Sequence, residues 1–284
     1  MIEGTTKVLG VLGSPIEHTL SPYIHNTLST LCGINQVYVP YHGTGSVQAM
    51  IEGAYALGIK GMNVTVPYKQ EVMDYLISID DKARMVGAVN TLVRKEGGFA
   101  GYNTDVTGLA DALEMLQVAV EGRDVIILGA GGAARAAAYM SVDKAGSLTI
   151  VNRTYDKAVR LEEEIRDNTG FDNITCLSVD DCMQTDVKDA LCIQCSPVGL
   201  ADAGKALIES SQFYHDKVGV VYDCVYNPEV TRTMALARDN GCEAYNGLLM
   251  LLCQAVDAFE LFHDVKISKE MTLEVYELLR KKIG

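Results

Sequence analysis

The sequence predicts an α/β protein of two domains, each built on a mainly parallel sheet. Short continuous apolar runs alternate with segments of helical periodicity, a pattern that calls for parallel pairing through right-handed crossovers. The pattern starts at Val8, is interrupted by a hairpin near Gly97-Gly98, and restarts at Val125. The chain has 284 residues, and at about 100–200 residues per domain this favours two domains.

The elements follow in order. Val8–Leu12 reads as a buried strand. Ser21-Pro22 opens a helix, with Ser21 as cap and Pro22 at the first helical position. Ile24, Leu28 and Leu31 form its apolar stripe and Gly33 closes it. Val37–Val39 is a second strand, a helix runs from Ser46 to Gly58, and Asn63–Val66 is a third strand ended by Pro67. A helical stretch near Val72–Leu76 leads to a hairpin made by Ala88–Arg94 and Phe99–Tyr102. Thr104 or Asp105 caps a long helix through Leu116, the expected domain boundary. Val125–Leu128 is a strand with the unbroken apolarity expected where both sheet faces are covered. An Ala-rich helix, Ala133–Val142, and a strand, Leu148–Val151, come next. A helix carrying Ala158, Leu161 and Ile165 follows, then strands at Ala190–Ile193 and Val218–Tyr222. The tail reads as two helices, Gly247–Phe262 and Glu270–Ile283.

Composition bounds the function. Hydrophobic residues make up 48% and charged residues 21%, the balance of a globular chain rather than a disordered or collagen-like one. Acidic residues outnumber basic ones by 37 to 24, for a net charge of -13. Such a chain repels polyanions, so neither nucleic acid nor an anionic membrane is an expected partner, and a small molecule is. Any phosphate must be gripped locally, by backbone amides and a few placed cations. The eight cysteines are scattered and mostly lie in apolar runs, which reads as reduced thiols in a cytoplasmic protein. Cys192 and Cys195 have CxxC spacing but lack a second pair or a helix N-terminus, and read as two strand thiols. The N-terminus lacks the basic start and long apolar stretch of a secretory signal. Leu248–Val256, broken by Gln254, is too short to cross a bilayer.

Gly129-Ala130-Gly131-Gly132-Ala133-Ala134 fits the dinucleotide fingerprint GxGxxG/A, placed directly between a buried strand and a helix. That context gives a weak motif its meaning and predicts a Rossmann-like, doubly wound nucleotide-binding domain. Gly129 permits the tight turn, Gly131 lets backbone approach a pyrophosphate, and the helix N-terminus offers amides and a positive dipole end. About 20 residues on, where an NAD site places an acid on the ribose 2′-hydroxyl, stand Asn152-Arg153-Thr154. Arg153, with Lys157 one helical turn beyond, suits a 2′-phosphate and predicts NADP. Asp156 is the one residue that argues for NAD.

A hydride acceptor needs a substrate and a proton donor. The five histidines show no metal-ligand spacing with cysteine, so no metal is expected and acid–base chemistry by Lys, Tyr, His or a carboxylate is favoured. Lys69 follows the end of the third strand, where open α/β sheets bind ligands, and Asp105 stands at a helix start between the domains. A lysine in a partly desolvated site, steadied by a carboxylate, can relay a proton.

Several blocks resemble the shikimate dehydrogenase family. They are Gly13–Pro22 with His25-Asn26, Asn63–Lys69, Gly87–Thr91, Gly101–Asp105, Gly129–Ala136, Asn152–Thr154, and Asn246-Gly247 through Gln254-Ala255, spread over most of the chain in family order. The resemblance implies reversible reduction of 3-dehydroshikimate to shikimate with NADPH, in chorismate and aromatic amino acid biosynthesis. It makes Lys69 and Asp105 the acid–base pair. It implies that Thr19 and Ser21 bind the substrate carboxylate and that Thr65, Asn90 and Gln254 hold ring hydroxyls, with Tyr226 nearby. It likewise implies that Gly129–Ala133, Asn152, Arg153, Thr154, Lys157 and Gly247 form the cofactor site. The implied domains are 1–105 with 246–284 for substrate, the C-terminal helices returning to the first domain, and 106–245 for NADP. Thr19 stands where serine is usual, Gln194-Cys195-Ser196-Pro197 replaces an Asn-Ala-Thr-type stretch, and Leu249 replaces a second glycine. Two other functions stay open: a quinate/shikimate dehydrogenase using NAD, and a non-catalytic ring-acid sensor. The chain is expected to act as a monomer or homodimer.

Overall fold

The computed structural model describes residues 2–200 and 202–283. The chain divides into two compact units, Met1–Gly108 with Leu252–Gly284, and Leu109–Leu251.

The first unit begins with β1 (Lys7–Gly13), α1 (Ser21–Leu31), β2 (Gln36–His42), α2 (Val47–Ala56) and β3 (Gly61–Val64). A short 3-10 helix (Glu71–Tyr75), β4 (Ser78–Ile79), α3 (Asp81–Val86), β5 (Thr91–Lys95), β6 (Gly98–Tyr102) and α4 (Asp105–Met115) follow. The sheet order is β2-β1-β3-β5-β6-β4. β1 is parallel to both β2 and β3, whereas β5 runs antiparallel to β3 and β6. The β5–β6 hairpin turns at Gly97, whose φ of +85° is open to glycine at no steric cost. Leu12 and Val64 pack on one face with Val47, Ile51, Leu92 and Phe99. Leu9, Val11 and Tyr38 pack on the other. With both faces covered, alternate residues of β1 are buried in opposite directions, and the strand reads as an unbroken apolar run.

Two features of α1 differ from expectation. Leu20 is the N-cap, in helical backbone, and Pro22 lies in the first turn after Ser21. Ser21 therefore sits one position past where a cap hydroxyl reaches the free amides. Its own amide donates instead to Thr19 Oγ1 at 3.3 Å. By contrast Ser46 caps α2, accepting from the Ala49 amide.

The second unit contains β7 (Asp124–Leu128), α5 (Gly132–Ser141), β8 (Ser147–Val151), α6 (Tyr155–Thr169), β9 (Ile174–Leu177) and β10 (Ala190–Gln194). It continues with α7 (Ser211–Lys217), β11 (Val218–Asp223), α8 (Arg232–Asp239) and β12 (Glu243–Asn246). The sheet order is β12-β11-β10-β7-β8-β9, with every pairing parallel. This is the Rossmann arrangement: the winding reverses between β7 and β10, the point where such sheets bind ligands at their C-terminal edge. Val125–Leu128 and Leu191–Ile193 are fully buried. α9 (Leu248–His263) and α10 (Lys269–Ile283) complete the chain. α9 leaves the second unit after Leu251, so its remainder and α10 belong to the first.

His25, on α1, is fully buried. Its ring stacks on Tyr38 with centroids 4.0 Å apart, and neither ring nitrogen has a hydrogen-bond partner. Burial, reinforced by His263, pushes its pKa down to about 3. The folded state thus keeps this imidazole neutral while the unfolded chain protonates it near its ordinary value of about 6.5. Its contribution is present above that value and lost as pH falls toward about 3. Urea unfolding at pH 7.5 and pH 5 should show stability falling with acidity. In His25→Phe that fall should be smaller by about 2 kcal/mol, the linkage value for one suppressed proton over this interval. An identical fall in both proteins would remove His25 as the cause.

Candidate functional site

In the first unit, the segment leaving β3 carries Thr65, Val66, Pro67, Tyr68 and Lys69, and α4 starts with Asp105. Lys69 Nζ donates to Asp105 Oδ2 at 2.5 Å, with the two side chains 23% and 12% exposed. The other carboxylate oxygen, Oδ1, accepts from Asn90 Nδ2 at 2.9 Å. Asn90 is itself fixed, because its Oδ1 accepts the Thr104 amide at 2.8 Å. The Val89 amide donates to the Lys69 carbonyl at 2.8 Å, which ties the backbone of the lysine to the segment entering β5. Lys69, Asn90 and Asp105 are thus brought together from three chain segments.

The cap of α4 falls on a residue other than the two expected. Asn103 Oδ1 accepts the amides of Asp105 at 3.0 Å and Val106 at 3.4 Å. Asn103 also donates to the Ala88 carbonyl at 2.9 Å. Neither Thr104 nor Asp105 needs to cap its own helix, so the Asp105 carboxylate is left for Lys69 and Asn90. A second layer was not singled out from sequence. Asn63, buried in β3, accepts from Tyr38 Oη at 2.7 Å and donates to Thr91 Oγ1 at 3.0 Å and the Asn90 carbonyl at 3.2 Å. A lone amide in an apolar strand, where an unsatisfied polar group is costly, was the available signal.

The remaining first-unit candidates lie on the same framework. The Ser14 amide donates to the Val66 carbonyl at 3.1 Å, stitching the loop that leads through Thr19 to Ser21 at the start of α1 to the segment of Thr65 and Lys69. A Cβ on Gly13 would lie 2.4 Å from Thr65 Cγ2, so glycine there lets Thr65 pack against the end of β1. A Cβ on Gly108 would lie 2.5 Å from the Gln254 amide nitrogen, so α4 and α9 cross backbone to backbone one turn beyond Asp105. Thr107 Oγ1 donates to the Asp257 carboxylate at the same crossing. Gln254 is therefore held beside the first turn of α4. Tyr226 is half-buried in the loop after β11, within the second unit.

In the second unit, the Gly129–Ala133 turn joins β7 to α5. Gly129 has φ +120°, a conformation only glycine adopts readily. Cβ atoms on Gly131 or Gly132 would meet nothing within 4 Å, so open space lies over the turn. Gly131 is the N-cap of α5 and no side chain caps the helix. Its first amides are available to a phosphate in a cradle without side chains. At the end of β8, Asn152 Nδ2 donates to the Thr154 carbonyl at 2.8 Å. Arg153, Thr154 and Lys157 are exposed. Thr154 is the N-cap position of α6 but its side chain makes no cap bond. Asp156 lies in the first turn of α6. These groups fit a phosphorylated dinucleotide.

Of the departures from the family pattern, the one at Gln194 has a local explanation. Gln194 is fully buried. It donates to the carbonyls of Ser196 and Val198 and accepts the Ser196 amide, so it braces its own loop. Leu249 is buried in the first turn of α9. A Cβ on Gly247 would lie 2.2 Å from the Cys224 carbonyl oxygen, so only glycine fits there. Among the described residues no cluster of three or more His, Cys, Asp or Glu could hold a metal, and no helix is long and apolar enough to cross a membrane.

The chain matches the shikimate dehydrogenase substrate binding domain over residues 11–92 and the shikimate/quinate 5-dehydrogenase domain over residues 111–186. It is 39% identical over 282 residues to the NADP(+) shikimate dehydrogenase of Caldanaerobacter subterraneus subsp. tengcongensis, covering 98% of each chain. The corresponding protein of Methanothermobacter thermautotrophicus is 38% identical, with 100% of this chain and 99% of that one covered. A crystal structure of a shikimate dehydrogenase in complex with NADP+ superposes with a TM-score of 0.89 at 34% identity, covering 100% of this chain and 98% of that one. Two family domains in sequence, near-complete coverage and the same architecture lead to one assignment: the chain belongs to the shikimate dehydrogenase family.

Proposed function

We propose that this enzyme catalyses the reversible NADPH-dependent reduction of 3-dehydroshikimate to shikimate, the step it would perform in chorismate and aromatic amino acid biosynthesis. The observation that carries the reading is the 2.5 Å contact between Lys69 and Asp105, with the second carboxylate oxygen held by Asn90. When bound, the nicotinamide supplies or accepts the hydride. The chain's own residues handle the proton. In the reductive direction Lys69 donates to the carbonyl oxygen as it gains charge, and in the oxidative direction it takes the hydroxyl proton. Asp105 holds the lysine in reach and offsets its charge, and Asn90 fixes the carboxylate plane.

Thr19 and Ser21 would donate to the ring-acid carboxylate, a pair of short charge-assisted bonds. Thr65, Asn90 and Gln254 would take the ring hydroxyls. On the cofactor side, the Gly129–Ala133 turn and Gly247 would receive the pyrophosphate and nicotinamide half. Asn152, Arg153, Thr154 and Lys157 would hold the 2′-phosphate. Free thiols throughout the chain support a cytoplasmic place of work, where the enzyme would act as a monomer or homodimer.

Absorbance at 340 nm with NADP+ or NAD+ and shikimate or quinate tests the whole reading. The highest kcat/KM should fall on NADP+ with shikimate; a maximum on NAD+ or quinate would reassign the enzyme. Lys69→Ala should lower kcat by about 10²–10⁴-fold, the usual worth of a positioned acid–base group. Its KM for shikimate should change far less, and unchanged kcat would take Lys69 out of the chemistry. Arg153→Ala should lower kcat/KM for NADP+ by about 10–100-fold, as expected for charged hydrogen bonds worth about 1.5–3 kcal/mol. It should leave NAD+ nearly unaffected, and equal losses on both cofactors would refute a 2′-phosphate contact.

A further inference from the structure

Two thiols meet at the C-terminal edge of the second sheet. Cys195 follows β10 and Cys224 follows β11, and their sulfurs are 3.8 Å apart. The two strands are parallel neighbours with Gln194 opposite Asp223, so the next residue on each stands beside the other. The Cys224 amide donates to the Gln194 carbonyl at 2.8 Å, keeping the strands paired up to that point. Neighbouring strands lie about 4.8 Å apart, inside the range of about 4.4–6.8 Å over which a disulfide joins two Cα atoms. Both cysteines are partly exposed.

Their position matters more than their proximity. The winding of this sheet reverses between β7 and β10, and Cys195 lies just past the end of β10. A Cβ on Gly129 would lie 3.1 Å from the Ser196 amide nitrogen and 3.3 Å from the Cys195 carbonyl carbon. A Cβ on Gly247 would lie 2.2 Å from the Cys224 carbonyl oxygen. The backbone of each cysteine thus abuts a glycine assigned to the nucleotide, Gly129 for Cys195 and Gly247 for Cys224. The hydrogen bond to Cys224, and then burial, hold the Cys195 thiol well above the ordinary thiol range.

We propose that Cys195 and Cys224 form a modification site, a dithiol that two-electron thiol oxidants of the diazene class convert to an intrachain disulfide. Closing it weakens nucleotide binding at the adjoining Gly129 turn. One sulfur, as thiolate, adds to a nitrogen of the N=N bond. The second sulfur then attacks the first, forming S–S and breaking S–N. The reduced hydrazine leaves with the two protons given up by the thiols, so two electrons pass from sulfur to nitrogen. The sulfurs must close from 3.8 Å to about 2.05 Å. That movement draws on strand ends with no free space toward Gly129 or Gly247. The effect on binding rests on the reading that this edge holds NADP; the disulfide itself does not.

The test treats the intact protein with diamide, alkylates the remaining thiols and maps peptides without reduction. NADP+ binding is titrated calorimetrically before oxidation, after it, and after dithiothreitol. A linked Cys195–Cys224 peptide is expected, with Kd raised at least tenfold and restored by reduction. Cys195→Ser and Cys224→Ser, each compared with its own untreated form, should lose the response. Failure to find the linked peptide, a linked form with unchanged Kd, or the same loss in the serine variants would overturn the proposal. Untreated protein that does not bind NADP+ would instead overturn the cofactor assignment and with it the effect on binding. The mapped peptide would then decide the modification site alone.

Discussion

A carboxylate that keeps 12% of its side-chain surface has lost most of its hydration, and Asp105 is resolvated by the protein from two directions. Lys69 satisfies one oxygen with a charge and Asn90 satisfies the other with an amide. A partly buried ion pair is a weak source of net stability, because desolvation offsets the attraction, but an unpaired member is expensive. The first unit is therefore organised so that neither partner can leave. Asn103 anchors the start of α4, Thr104 locks Asn90, and the Val89 amide fixes the Lys69 backbone. Asn63 and Tyr38 brace that layer from behind. A proton relay needs donor and acceptor held in place before substrate arrives, and this network supplies that constraint without using a group that must also titrate.

The second unit meets a different constraint, the close approach of backbone to an anion. Its solution is absence: no Cβ at Gly131 and Gly132, a left-handed Gly129, and a helix N-terminus without a side-chain cap. Glycine in these positions forfeits some backbone entropy. Four parallel strands whose central residues are fully buried carry the burden of holding the turn rigid. The same crowding that makes Gly129 and Gly247 obligatory places Cys195 and Cys224 against them. Chemistry at those sulfurs cannot be isolated from the turn.

Legibility from sequence followed burial and length. Val125–Leu128 and the Gly129 turn were readable because a doubly covered strand is apolar at every position and a glycine-rich corner has few alternative meanings. β4, β9, β12, α3, α7 and α8 escaped notice because they are short and exposed on one side, so no period of the sequence repeats within them. Periodicity places a helix start only to within a residue or two, so the sequence points to Ser21 as the cap where the structure has Leu20. Asn103-Thr104-Asp105 are three residues that can each cap a helix, and only the fold shows that Asn103 does so. The site was legible where one residue type carries the chemistry, as with Lys69. It was illegible where the function is to hold another residue, as with Tyr38 and Asn63, since such contacts join segments far apart in sequence. Cys195 and Cys224 meet for the same reason, across neighbouring strands rather than within a motif.

The charge of the chain and the charge of its cofactor pull in opposite directions. A net charge of -13 gives no long-range attraction for an anionic dinucleotide, and at physiological salt the field decays over about 8 Å. Recognition must then be made within the first contact shell. The α5 amides, the exposed Arg153 and Lys157 one turn on are spaced along the C-terminal ends of β7 and β8, each acting over a few ångströms. An acidic surface discourages polyanions at little cost to groups that act by contact geometry rather than by potential. Any preference for a 2′-phosphate then rests on short-range contacts rather than on net charge. An arginine rather than an acid follows the end of β8, the change of charge that a 2′-phosphate in place of a 2′-hydroxyl calls for.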